Sequence, residues 1–258
     1  MLILIGDILN WLVAGVVFPL MLLPLAARIS GPSRSTLVWL ALIGAVVGCS
    51  VLFAWIAPAL AVTPPFLVTV VFSASIGTLA LCVGLTGGVR KVITCLSPIF
   101  EFFTRSTARI VMWFLLAMAF IQFGVVVLRY VFGINYIFMQ ESITYMHGAV
   151  FLLAGGYALL TDDHVRVDIF YSGASEKKKA LIDFLGTYFF LFPICLLLLW
   201  TASPYVANSW SVGEGSAETS GIQAVFLLKS LIPAFAILMA MAGFNIAARA
   251  GDVLKGTP

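Results

Sequence analysis

The chain has 258 residues, of which 62% are hydrophobic and 10% charged, with a formal net charge of +3 and a mean hydropathy of +1.12. A soluble globule carries roughly 25% charged residues, so this composition excludes one. The apolar runs have the roughly twenty-residue length that a bilayer core demands, and they lack the alternation of a transmembrane β-barrel.

Taken in order, the first span covers residues 2–27, with no Lys or Arg before it and Arg28 and Arg34 after it. A cleavable signal would need a basic leader and a shorter apolar core, so this is read as an uncleaved span. Pro19 and Pro24 are expected to bend its second half, because proline removes a backbone hydrogen bond. A second span is expected over 37–60, ended by Pro64-Pro65, and a third over 66–85, broken by Gly87-Gly88. Residues 90–109 mix apolar positions with Glu101, Arg105 and Arg109. They read as an interfacial helix lying on one membrane face. A fourth span takes 110–131, with Gln122 inside and Arg129 at its end.

The fifth span is expected over 143–160, with Glu141 just before it and the polar knot Asp162-Asp163-His164-Val165-Arg166-Val167-Asp168 after it. A sixth covers 180–206, with Asp183 near its start and Pro193 in its middle. A seventh covers 222–248, with Lys229 and Pro233 near its start. Residues 207–221 between them carry Glu214 and Glu218 and no base.

Charge fixes the expected orientation. Twelve of the fourteen Lys and Arg residues fall in the segments assigned to the cytoplasm, leaving Arg129 and Lys229 outside. The excess of basic residues on the cytoplasmic side is the established topological rule. The fold class expected is therefore all-α integral membrane, with about seven transmembrane helices, the N-terminus outside and the C-terminus cytoplasmic.

Chemistry has few carriers. Ionisable groups inside spans mark function by default, but Glu141 and Asp183 lie near span ends, where an interfacial carboxylate is favoured over an ion relay. His147 and His164 fall at different depths, so they do not form a pair of haem ligands. His147 is expected to make an interhelical hydrogen bond. The four cysteines show no zinc or haem spacing and read as small buried hydrophobes. Catalytic triad, zinc-protease and phosphate-loop motifs are absent. No cofactor, metal or catalytic residue is assigned, and no enzyme activity. Without a basic cluster interleaved with aromatics, nucleic acid is not an expected partner. Gly155-Gly156 reads as a site of close helix packing.

Residues 110–248 resemble the small membrane subunit, the DctQ or Q component, of tripartite ATP-independent periplasmic (TRAP) transporters. The resemblance is carried by VVLRYVFG at 126–133, by MQESITYMHGAVFLLAGGYALLTDDHVRVDIFY at 139–171 and by LIPAFAILMAMAG at 231–243. It implies a four-helix small-subunit domain over 107–258; residues 1–106, three spans and an interfacial segment that the usual four-helix subunit lacks, depart from the family pattern and are read as an extension. It further implies a non-catalytic scaffold for a large, sodium-coupled elevator subunit in a bacterial inner membrane. Membrane lipids and a periplasmic solute-binding protein delivering an organic acid or similar solute are the other implied partners. By position it makes Arg129, Glu141, His164, Arg166 and Asp168 the structurally important polar residues. The alternative is a membrane anchor for an unrelated respiratory or photosynthetic complex, since scaffold folds are reused.

Overall fold

The computed structural model describes residues 18–29, 88–164 and 171–256. Among these residues all regular secondary structure is helical: α1 (Phe18–Ile29), α2 (Val89–Val131), α3 (Ile137–Thr161), α4 (Glu176–Gly186), a π-helical turn (Thr187–Leu191), α5 (Phe192–Val212) and α6 (Val225–Lys255). Four stretches are long and apolar enough to cross a membrane: α2, α3, the continuous run Glu176–Val212, and α6. The expected spans at 37–60 and 66–85 lie outside the described residues, as do Arg166 and Asp168.

Helix α6 is the axis, with α1, α2, α3, α4 and α5 all packed against it. Its sequence explains why. Ala236, Ala240, Ala242, Gly243, Ala247, Ala250 and Gly251 are all buried along it, and small side chains let helix backbones approach where no hydrophobic drive separates lipid from protein. Against α3 the approach is closest at Gly156, where a Cβ would stand 2.9 Å from the Leu238 carbonyl oxygen. The neighbouring Gly155 faces the Phe235 ring. The expected packing role of this glycine pair is what the structure has. On the opposite side, Gly243 faces Thr187, Leu191 and Phe192, so α6 passes directly against the π-helical turn.

α1 joins the same core. Leu23 and Ala26 pack with Val89, Phe100 and Phe244, while Met21 packs with Phe192, Cys195, Leu199, Ala236 and Ala240. Pro24 lies inside α1. One residue on, the Leu25 N–H donates to the Tyr188 hydroxyl (2.8 Å), and that hydroxyl donates to the Met21 carbonyl (2.8 Å). Residues 21 and 25 are an i, i+4 pair. The phenol therefore bridges a helical backbone donor and acceptor beside the proline, in the way side chains insert at helix bends.

Three expectations are corrected here. Residues 90–109 are not a separate interfacial element: α2 runs unbroken for 43 residues through Pro98, about 65 Å at helical rise. Anchoring of its first half explains the continuity. Phe100 meets Phe244 edge-on at 5.1 Å, Ser97 donates to Asn245, and Arg249 reaches Glu101 (3.3 Å). Glu141 does not precede its helix but sits in the second turn of α3, because the helix already starts at Ile137. The sixth span extends at both ends, to Glu176–Val212, and the seventh is shifted, starting at Val225 rather than 222 and running on to Lys255. Cys195 is buried as expected, whereas Cys95 is exposed on α2; Cys49 and Cys82 lie outside the described residues.

A carboxylate-held loop at one end of the bundle

At one end of the bundle α2 finishes, α3 begins, and residues 213–224 connect α5 to α6. α5 stops at Gly213, whose left-handed φ of 57° lets its N–H reach back to Ser209 and Trp210, a glycine-type helix stop. The chain then folds over the start of α3, and the Ser216 N–H donates to the Ile222 carbonyl (3.2 Å). Glu141 holds this loop with both oxygens. Its Oε1 accepts the Ser216 hydroxyl, and its Oε2 accepts the Ile222 backbone N–H at 2.6 Å. Ionised acceptors make the stronger hydrogen bonds, so a single carboxylate ties α3 to the α5–α6 connection. Gly221 permits the approach, since a Cβ there would stand 2.7 Å from Glu141 Oε1.

A second ion pair backs the first. Lys229, in the second turn of α6, pairs with Glu214, and its ammonium lies 4.1 Å from the centroid of the Tyr205 ring. The Lys229 ammonium holds the Glu214 carboxyl below the usual carboxylate range. Trp210 closes the joint by donating from Nε1 to Ser230 (2.8 Å) while its ring packs on Phe226 (4.7 Å). Arg129 is exposed at the end of α2 and lines a cleft with Gln122, Tyr130 and Gln140.

The opposite end gathers the other charges. Glu101 pairs with Arg105 (2.7 Å) and with Arg249, and Arg90 pairs with Asp252 (3.0 Å). Arg105 also lies over the Tyr157 ring of α3 (5.9 Å). The Lys255 ammonium donates to the Ala27 carbonyl of α1. Here α3 stops at Asp162, which takes a left-handed φ of 66° and sends its N–H to Ala158 and Leu159. Aspartate tolerates that region better than most residues, so the polar knot begins as a helix stop. Exposed pairs like these contribute little individually, and several of them share Glu101 or its neighbours.

The expected site residues do not converge. Glu141 and the end of α3 are separated by about 30 Å of helix, and His164, just past that end, is exposed. The expected hydrogen bond of His147 is replaced by exposure and a stacked contact with Phe151 (6.4 Å). Asp183 accepts the Tyr171 hydroxyl (2.8 Å). Among the described residues, no group of three or more His, Cys, Asp or Glu is placed to hold a metal ion. Ser216, Glu214 and Lys229 were not singled out from sequence as a set. The available signal was an acidic loop without a base, followed by a lone lysine at the start of an apolar span.

The fold and its polar joints thus define a multi-pass helical membrane protein whose ionisable residues hold helices and loops to one another. The family model for tripartite ATP-independent periplasmic transporters, DctQ component, matches residues 118–250. That is slightly more than half the chain, and the chain belongs to this family of small TRAP-transporter membrane components. No curated protein and no solved structure matches it.

Proposed function

We propose that the chain is a non-catalytic scaffold of a TRAP transporter, bracing a large sodium-coupled subunit while a solute-binding protein docks from the periplasm. The family match carries this reading. The distribution of polar groups supports it, because Glu101, Glu141, Glu214 and Asp252 each bond to a base or a loop on another element. The solute that fits the family is an organic acid or a similar small anion. The host membrane is a bacterial inner membrane.

Orientation follows from charge. Among the described residues, Arg28, Arg90, Lys91, Arg105, Arg109, Lys177, Lys178, Lys179, Arg249 and Lys255 lie toward one end, against Arg129 and Lys229 toward the other. The basic end is cytoplasmic by the positive-inside rule, and the loop held by Glu141 is periplasmic, where a binding protein would meet it. The face of α2 carrying Trp113, Leu116, Phe120 and Phe123 is exposed and leaves a side open for a second membrane subunit. Residues 1–106 act as added scaffold, which the burial of α1 against α6 supports.

The test is assembly. Arg166→Ala, in the knot, is expected to lower recovery of the complex more than it changes affinity for solute. Normal assembly with altered solute affinity would contradict the scaffold role.

A further inference from the structure

A cavity of about 770 Å³ opens at the basic end, far from the loop held by Glu141. Its floor is α6, at Ile246 and Ala250; one wall is the stripe Ile182, Thr187, Phe190 and Ile194; the other is the end of α3 at Leu159 and Leu160. The π-helical turn lies within that stripe. Its wider winding changes the register of the wall along the cavity, which is how such turns come to sit at binding sites.

The two ends of this trough differ in chemistry. From Asp183 to Ile194 the wall is about 16 Å long at helical rise and becomes wholly apolar, with Phe190 and Ile194 exposed. The mouth carries both signs of charge: Lys179 and Arg249 against Asp162, Glu176 and Asp183. Several of these groups are already engaged. Asp183 takes the Tyr171 hydroxyl on Oδ2, Lys179 reaches Glu176 at 3.5 Å, and Arg249 reaches Glu101 at 3.3 Å. The last two contacts are long and exposed, and such pairs exchange cheaply for another partner.

An apolar trough open to the hydrocarbon layer and ending in a two-signed mouth has the pattern of a phospholipid. We propose that this trough holds one glycerophospholipid with a primary-ammonium head, of the phosphatidylethanolamine class. The phosphate sits at Lys179 and Arg249, the ammonium at the carboxylates, and an acyl chain lies along Phe190 and Ile194. Charge complementarity selects this occupant. A head that is only anionic would bring its phosphate among three carboxylates with no ammonium to meet them. A choline head carries no N–H to donate to them. The proposal rests on the membrane reading of the chain and not on its transport partners.

The experiment uses the full-length chain, stripped of lipid in detergent. Its thermal unfolding is followed after adding phosphatidylethanolamine, phosphatidylcholine or phosphatidylglycerol with identical acyl chains. Phosphatidylethanolamine is expected to raise the midpoint by several degrees more than either of the others. Arg249→Gln and Asp183→Asn are each expected to erase that preference, read as the difference between lipids within one variant, so a lower starting stability does not obscure it. A photoactivatable phosphatidylethanolamine is expected to cross-link at Ile194. Equal shifts from the three lipids, a larger shift from phosphatidylglycerol, or no shift would overturn the assignment. Capture of a protein segment at Ile194 in place of lipid would overturn it too.

Discussion

Glu141 spends both carboxylate oxygens on one loop, and this makes it the residue whose loss is most specific. Glu141→Ala leaves the Ile222 N–H and the Ser216 hydroxyl without their acceptor. Both donors are partly exposed, so water replaces part of what the carboxylate supplied and the loss appears as a lowered unfolding midpoint. Glu141→Gln keeps the shape and one carbonyl acceptor, so its loss is smaller. Thermal unfolding of the purified protein should rank wild type above Gln and Gln above Ala. An Ala variant as stable as wild type would mean the loop is held by something else. Glu214 adds a pH dependence. Its folded carboxyl lies below the ordinary range because of Lys229, so its contribution is present above that range and is lost as pH falls through the lowered value. Hydrogen exchange of the loop amides, divided by the intrinsic exchange rate at each pH, should therefore show less protection on acidification, and Glu214→Gln should remove that dependence. Sequence reading marked Glu141 as important but placed it just before its helix, because the apolar span was expected to start at 143, whereas the helix starts at Ile137. The partners were illegible for a plain reason: Ser216 and Ile222 lie 75 and 81 positions away, and no periodicity links them.

At the scale of the element, α6 decides the packing and its sequence advertised it. An apolar span studded with Ala and Gly reads as an interface rather than a lipid-facing helix, and the Gly155-Gly156 pair on α3 reads as its counterpart. Gly156→Ala places a methyl group under 3 Å from a backbone carbonyl. It should cost about 1–3 kcal/mol, the usual range for overpacking, measured as a lowered unfolding midpoint. The same change at Gly173, which faces open space, is the control and should leave the midpoint nearly unchanged. Other features could not be read in this way. The insertion of Tyr188 beside Pro24 joins residues 163 and 167 positions apart, and only the proline was visible beforehand. Tyr188→Phe should expose the Leu25 amide to faster hydrogen exchange without unfolding α5. The unbroken α2 was misjudged because Glu101, Arg105 and Arg109 suggested a surface helix. Glu101 and Arg105 are instead accommodated by Arg249, by each other and by the Tyr157 ring, and Arg109 is exposed.

For the whole molecule, composition alone excluded a soluble fold, and hydropathy located the four long helices that the structure describes; most ends were missed by about three to seven residues, but the start of α2 lies at Val89 rather than 110, where the helix runs on through charged sequence. Orientation is testable directly. A cysteine at Ser220 should react with an impermeant reagent in intact cells, and one at Ser175 only after permeabilisation; the reverse pattern would invert the bundle. Such an inversion would put the basic end outside, against the charge rule, and would remove the loop held by Glu141 from the side where a binding protein docks. The scaffold reading itself depends on company. The most direct measurement is to tag this chain in its native membrane, purify it under mild detergent and identify what comes with it by mass spectrometry. A large multi-span permease in near-equal amount is the predicted result. Recovery of the chain alone, or with an unrelated respiratory or photosynthetic complex, would contradict the account.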